Sequence, residues 1–142
     1  MKIAVRYYSR SGNTKRVADA IATAAGTAAE TIDRPVGGQV ELLFVGSGLY
    51  AGKIDKALRG FLQGLEPSKV KRVAVFSTSM SGTSAHAEIK KILDERGIAV
   101  ANEFFHCPGK FLLFNGKHPN DKDLEAAAKF ARSFAASVKK KK

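Results

Sequence analysis

The sequence predicts an α/β fold, an open five-stranded parallel sheet with helices on both faces, and three observations carry that expectation. Short apolar runs alternate with segments of helical spacing, the pattern of a parallel sheet with crossover helices. Three of those runs end abruptly in glycine- and serine-rich loops. A chain of 142 residues, 44% of them hydrophobic, supports one well-buried core and is too short for two ordinary domains.

Residues 2–8 are the first strand. Val17 and Ile21, with Ala18, Ala22 and Ala25, recur at helical spacing up to the terminator Gly26 and define the first helix. Residues 30–34 are a short second strand, followed by Pro35 and Gly37-Gly38, and residues 40–45 are a strongly apolar third strand. A parallel crossover this short has no room for a full helix. The second strand is therefore expected at an edge of the sheet, with its helix reduced or absent. Ile54, Leu58, Phe61, Leu62 and Leu65 then follow the spacing of an amphipathic helix, stopped near Pro67.

Residues 73–76 begin the fourth strand, whose small polar end Ser77-Thr78-Ser79-Met80-Ser81-Gly82 leads into a helix carrying Ala85, Ile89, Ile92 and Leu93, closed by Gly97. Residues 99–105 are the fifth strand. Asn120, with Asp123 three residues on, resembles an N-terminal capping pair for a last helix, whose buried face is Leu124, Ala127, Ala128, Ala131, Phe134 and Val138. Residues 1–138 are read as one domain and residues 139–142 as a basic tail.

Lys and Arg number 24 against 13 Asp and Glu, a formal net charge of +11 that invites nucleic acid or an acidic partner. Four of those charges are the closing lysine run, read as a frayed, solvated tail. The rest are spread without the interleaved aromatics of a single-strand binding surface, so no specific nucleic acid is expected. The N-terminal apolar stretch is broken by Arg6 and lacks a cleavage site, so neither a signal peptide nor membrane insertion is expected. A soluble, cytoplasmic protein is the simplest reading.

Cys107 is the only cysteine, which excludes an intramolecular disulfide and any four-thiolate metal or iron-sulfur site. A lone cysteine before Pro108 in an apolar strand reads as packing rather than as a working thiol. His86, His106 and His118 have neither metal-ligand spacing nor paired carboxylates, so no metal and no catalytic side chain is expected. Phe111-Leu112-Leu113-Phe114 reads either as an apolar loop over the sheet edge or as a docking patch.

In an open parallel sheet, ligands bind outside the carboxyl ends of the strands, where the strand order reverses. The loop after the first strand is the most specific feature there. Ser9, Ser11 and Thr14 offer hydroxyls, and Gly12 lets the backbone approach an anion closely. Successive N–H groups at the start of a helix favour a phosphate. The same residue types also make ordinary turns and caps. The segment has neither the Walker A nor the dinucleotide glycine pattern. It also lacks a loop cysteine nucleophile, which leaves a loop that holds a phosphate without reacting with it.

The run Tyr7-Tyr8-Ser9-Arg10-Ser11-Gly12-Asn13-Thr14-Lys15-Arg16-Val17-Ala18 resembles the flavodoxin signature of an aromatic, Ser/Thr, x-Ser/Thr-Gly-Asn-Thr and a helix with Ala. Gly46-Ser47-Gly48-Leu49-Tyr50-Ala51-Gly52 is similar to the Gly-Ser-Pro-x-Tyr-x-Gly loop of related reductases. The resemblance extends over most of the chain and implies the strand order 2-1-3-4-5 with flavin mononucleotide (FMN) as the bound group. It implies that Ser9, Arg10, Ser11, Gly12, Asn13 and Thr14 hold the 5'-phosphate. It implies further that Gly48, Leu49, Tyr50, Ala51 and Gly52, with Thr78, Ser79, Met80, Ser81 and Gly82, flank the isoalloxazine ring.

Tyr50 is either a cover for one ring face, where aromatic stacking adds about 0.5 to 1.5 kcal/mol, or a surface tyrosine at a strand end. Gly48 and Gly52 permit positive φ, which lets a peptide turn toward the ring. Two departures stand out: many flavodoxins carry a Trp after strand three and a Tyr after strand four, and most are acidic. This chain has no Trp, has Met80 after strand four, and is basic.

The implied function is FMN-binding electron transfer with redox partner proteins, acidic ones given the charge, and a carrier is favoured over a self-contained enzyme. Two alternatives are an FMN-dependent oxidoreductase acting on quinone or protoporphyrinogen-type substrates and, on charge alone, a flavin-free basic interaction module. A phosphoacceptor receiver is excluded because the third strand ends Val45-Gly46-Ser47, without the required Asp.

Overall fold

A strand with apolar residues on both faces is stable only with helices covering both, and the central strands of this chain are of that kind. The computed structural model describes residues 2–10, 12–49, 53–79, 84–108 and 119–140. In order, they form β1 (Ile3–Tyr8), α1 (Asn13–Ala25), β2 (Ala29–Thr31), β3 (Leu42–Gly48), α2 (Lys56–Gln63), β4 (Arg72–Ser79), α3 (His86–Glu95), β5 (Ala99–Pro108) and α4 (Asp121–Lys140). The five strands pair in parallel in the order β2-β1-β3-β4-β5, as expected from the sequence.

All seven residues of β3 are buried, and alternate residues face opposite layers. Leu43 and Val45 pack with Leu58 and Leu62 of α2 and Ile89, Ile92 and Leu93 of α3. Leu42 and Phe44 pack with Val17, Ala18 and Ile21 of α1 and Ala127, Ala131 and Phe134 of α4. Each large side chain buried this way contributes roughly 1.5 to 3 kcal/mol. Gly46 belongs to the second layer, where a Cβ would lie 1.8 Å from the Phe76 ring. Glycine is what allows Phe76 to cross that position.

The helix ends follow local chemistry. Gly26, at φ +78°, lets the chain leave α1, and the Thr27 N–H then returns to the Ala22 carbonyl at 2.9 Å. Asn120 and Asp123 cap α4 reciprocally: each backbone N–H donates to the other's side chain at 2.9 Å. The connection from β2 to β3 carries no helix. Buried Arg6 holds it instead, donating to the carbonyls of Val5, Arg34 and Pro35 at 2.9–3.0 Å and pairing with Glu30 at 3.2 Å.

Several boundaries differ from the sequence reading. β2 is Ala29–Thr31 rather than 30–34, because a turn from Thr31 to Arg34 ends it. β3 and β4 continue to Gly48 and Ser79, since polar residues inside a sheet keep its ladder as well as apolar ones. β5 runs past Phe105 to Pro108 and includes Cys107. Ile54 and Leu65 flank α2 rather than lying in it, yet both are buried in its core. On α4, Leu124 and Ala128 are only partly buried, and Ala135 joins the buried face.

Ser11, Tyr50, Ala51, Gly52, Met80, Ser81, Gly82, His118, the segment 111–114 and Lys141 and Lys142 lie outside the described residues, as does the side chain of Val138. Among the described residues, no helix is long and apolar enough to cross a membrane.

Candidate functional site

With β2 to one side of β1 and β3 to the other, the crossovers part between β1 and β3, and the C-terminal ends of β1, β3 and β4 lie beside that point. Gly12, at φ +89° and ψ −8°, turns the first loop into α1. No atom lies within 4 Å of where its Cβ would be, so backbone conformation rather than space demands glycine there. The Gly12 N–H donates to Ser9 Oγ at 3.0 Å, which closes the turn. Gly12 provides no side-chain cap, and the first turn of α1 carries no acidic residue. The start of a helix is its positive end, and among the described residues Ser9 and Thr14 place hydroxyls beside it.

Two bonds to Thr78 tie this edge together. Buried Thr14 Oγ1 lies 2.9 Å from Thr78 Oγ1 of β4, spanning the sheet edge across β3. The Leu49 N–H donates to the Thr78 carbonyl at 3.1 Å, which fixes the chain as it leaves β3. Gly48 is an extended residue of β3 paired with Thr78. The expectation of positive φ at Gly48 is therefore corrected: ladder pairing holds the strand straight there, and the left-handed glycine of the described edge is Gly12.

Arg10 reaches outward to Asp55, the N-cap of α2, whose other oxygen accepts the Ala57 N–H at 2.7 Å. Hydrogen bonds from Arg10 and from Ala57 hold the Asp55 carboxyl below the usual carboxylate range, and the Asp55 contact raises Arg10 in turn. On the far side of the third loop, the Ile54 N–H donates to Glu88 of α3 at 3.0 Å, and Glu88 also pairs with Arg59 at 2.6 Å. The third loop thus has both flanks tied down, to Thr78 before it and to α3 after it.

His106 closes the far side of the edge. Its Nδ1 lies 2.9 Å from Ser77 Oγ and its Nε2 3.4 Å from Ser79 Oγ, both hydroxyls being buried. Ser77 Oγ accepts the Ala85 N–H at 3.2 Å and donates to Ser84 Oγ at 3.4 Å, so the start of α3 is bound to the same group. Burial lowers the pKa of His106 below its ordinary value of 6.5. Cys107, one residue on, is only 3% exposed, and its thiol is pushed up to about 12, chiefly by burial. It is a packing residue, as its sequence context suggests.

Of the residues proposed from sequence, Ser9, Arg10, Gly12, Asn13, Thr14, Gly48, Leu49, Thr78 and Ser79 fall within the described residues at this edge. Asp55, Glu88, Ser84 and His106 went unrecognised. Asp55 had a local signal, an Asp immediately before an amphipathic run. His106 had none: β5 places two more residues between Val100 and Phe104 than β4 places between Val73 and Val75, and that irregularity sets His106 opposite Ser77.

Comparison with known proteins agrees with this geometry. Residues 4–116 match a family model described as a flavodoxin domain. An uncharacterized protein of Methanocaldococcus jannaschii is 31% identical over 147 residues, covering 94% of this chain and 97% of that protein. A flavodoxin from the domain Archaea superposes with a TM-score of 0.74 at 25% identity, covering 98% of this chain and 99% of its own. Oxidised flavodoxin 2 from Bacillus cereus, at 21% identity, shares the fold with a TM-score of 0.71, covering 96% of this chain and 99% of that one. The sheet order, the Gly12 turn into α1 and the match over residues 4–116 agree, and the chain belongs to the flavodoxin family.

Proposed function

We propose that this protein binds FMN at the C-terminal edge of its sheet and carries electrons between redox partner proteins. The observation that carries the reading is the uncapped start of α1 behind Gly12, with the Ser9 and Thr14 hydroxyls beside it and no acidic side chain in its first turn. That donor set suits a phosphate dianion, since hydroxyls and the positive end of a helix favour negative charge. The residues present therefore fit the group.

FMN, once bound, supplies the electron-transfer chemistry, accepting and releasing one or two electrons. The chain's own work is to bind and orient. Ser9, Gly12, Asn13 and Thr14, with Arg10 and Ser11, hold the phosphate. The segments 48–52 and 78–82 flank the ring, and the Thr14–Thr78 and Leu49–Thr78 bonds tie the start of α1 to the ends of β3 and β4. Residues 1–138 make up the flavin-binding domain and residues 139–142 the basic appendage, with α4 carrying Lys139 and Lys140 into it.

Partner choice follows from charge. Lys15, Arg16, Lys53, Lys56 and Lys122 are exposed at or just before helix starts, where Asp55, Glu88, Asp121 and Asp123 also lie, so the excess is that of the whole chain, a formal +11. A net positive charge of this size favours an acidic docking surface.

Titration of purified, flavin-stripped protein with FMN tests the reading: quenching of flavin fluorescence with one-to-one saturation is expected. A protein that leaves FMN fluorescence unchanged is instead a flavin-free interaction module. Steady-state assay with NAD(P)H and quinones separates a carrier, which shows no sustained turnover, from an oxidoreductase.

A further inference from the structure

A neutral imidazole presents one donor and one acceptor, whereas an imidazolium presents two donors. A serine hydroxyl works in either sense. Because Ser77 and Ser79 face the two ring nitrogens of His106, both protonation states of the ring remain hydrogen-bonded without any movement of the backbone. Ser77 also has an outlet for its own proton. When Nδ1 donates to it, its hydroxyl donates to Ser84 Oγ, and the Ala85 N–H still occupies its second lone pair.

This cluster adjoins the ligand edge. Ser79 is the last residue of β4, and its neighbour Thr78 is bonded to Thr14 of the first loop. Among the described residues, β4 presents only uncharged hydroxyls to the ring. On α3, His86 is bonded to the Ala101 carbonyl at 2.8 Å and stacked on Phe104, while Glu88 is taken by Arg59 and the Ile54 N–H. On β5, Glu103 is exposed. Burial, not a neighbouring charge, is what displaces the titration of His106.

We infer that His106 takes up a proton from solvent when the ligand bound at this edge gains negative charge, so that reduction and protonation of His106 are coupled. The inference rests on the flavin reading above. Electrons come from an external reductant, the proton comes from water, and it forms one N–H bond on the imidazole while no covalent bond within the protein breaks. Ser77 and Ser79 act as acceptors in the protonated state, and coupling between the two events is reciprocal. His106 acts here as a positioning and charge-compensating group rather than a catalytic one.

The test is a dithionite titration of FMN-loaded protein at pH values on both sides of 6.5, with wild type and His106→Gln compared. Gln keeps hydrogen bonds to both serines and does not titrate. Protons taken up by the flavin itself are common to both proteins and cancel in the comparison. The wild-type equilibrium is expected to change more steeply with pH, by up to about tenfold per pH unit, equivalent to about 59 mV for one electron. Parallel pH profiles for the two proteins overturn the coupling.

NMR titration of the His106 ring in wild-type protein needs no variant. Its midpoint should lie below 6.5 in flavin-free protein and rise once bound FMN is reduced, and a midpoint indifferent to reduction also overturns the inference. Protein that never binds FMN defeats the flavin reading together with the coupling, whereas protein that binds FMN and gives parallel profiles defeats the coupling alone.

Discussion

Gly12 and Gly46 show two separate reasons for glycine. At Gly12 the space beside the backbone is open, and φ of +89° is the constraint. Gly12→Ala should therefore cost about 1 to 2 kcal/mol of strain and weaken FMN binding, measurable by urea denaturation and fluorescence titration. At Gly46 the constraint is the Phe76 ring, 1.8 Å from an added Cβ. Gly46→Ala should lower stability by roughly 1 to 3 kcal/mol, and an unchanged urea midpoint would count against this packing. Half-buried His106 and buried Cys107 give opposite pH dependences. His106 titrates below 6.5 in the folded state, so the unfolded chain binds more protons in that window. Its contribution is complete above 6.5 and is lost as pH falls from there toward the lowered folded value. Cys107 is raised from 9.0 to about 12, so its contribution is present below 9.0 and fades as pH rises toward 12. Denaturation of flavin-free protein across both windows checks the signs, with His106→Gln removing the acid slope. Native Cys107 should also resist alkylation at pH 8 and react on unfolding.

Among the elements, the β2–β3 connection is the unusual one, a crossover held by a side chain instead of a helix. Arg6 satisfies two carbonyls there, of Arg34 and Pro35, and that of Val5 in β1, from a buried position. Arg6→Leu would leave those of Arg34 and Pro35 without their donor, at a cost of about 1 to 3 kcal/mol. Hydrogen exchange should show lost protection at the Ile32 N–H, which donates to the Tyr7 carbonyl, before central β3 amides are affected. At α4, the Asn120–Asp123 exchange of hydrogen bonds is a complete capping box. Asn120→Ala should reduce stability by about 1 kcal/mol, read as a lower Tm. Asp123→Ala should behave alike, since each variant removes one of the paired bonds.

At the scale of the molecule, the formal charge of +11 sets this chain apart from the acidic pattern usual in its family. Positive surroundings stabilise a negatively charged reduced flavin, so the reduction potential should be less negative than in acidic relatives, by about 59 mV for each tenfold change in a one-electron equilibrium. Salt screens such a field over roughly 10 Å at 0.1 M. The displacement should therefore shrink between low and high ionic strength in a redox titration. A potential as low as an acidic flavodoxin's and insensitive to salt would contradict this view. Association with an acidic redox partner should slow steeply with salt for the same reason.

Much of this architecture was legible from residue order alone. Apolar runs, helical spacing and crossover length are local properties of the chain, so five strands, four helices, the missing second helix and the α4 cap could all be read from it. The first loop was legible too, because Ser9 to Thr14 are contiguous and their chemistry is local. What only the tertiary structure decided are contacts between distant residues: Thr14 with Thr78, Arg10 with Asp55, Ile54 with Glu88, and His106 between Ser77 and Ser79. These depend on strand order, on which face each residue takes and, for His106, on the irregular pairing of β4 with β5. None of those leaves a periodic trace in sequence, because each is fixed by how the strands align in space.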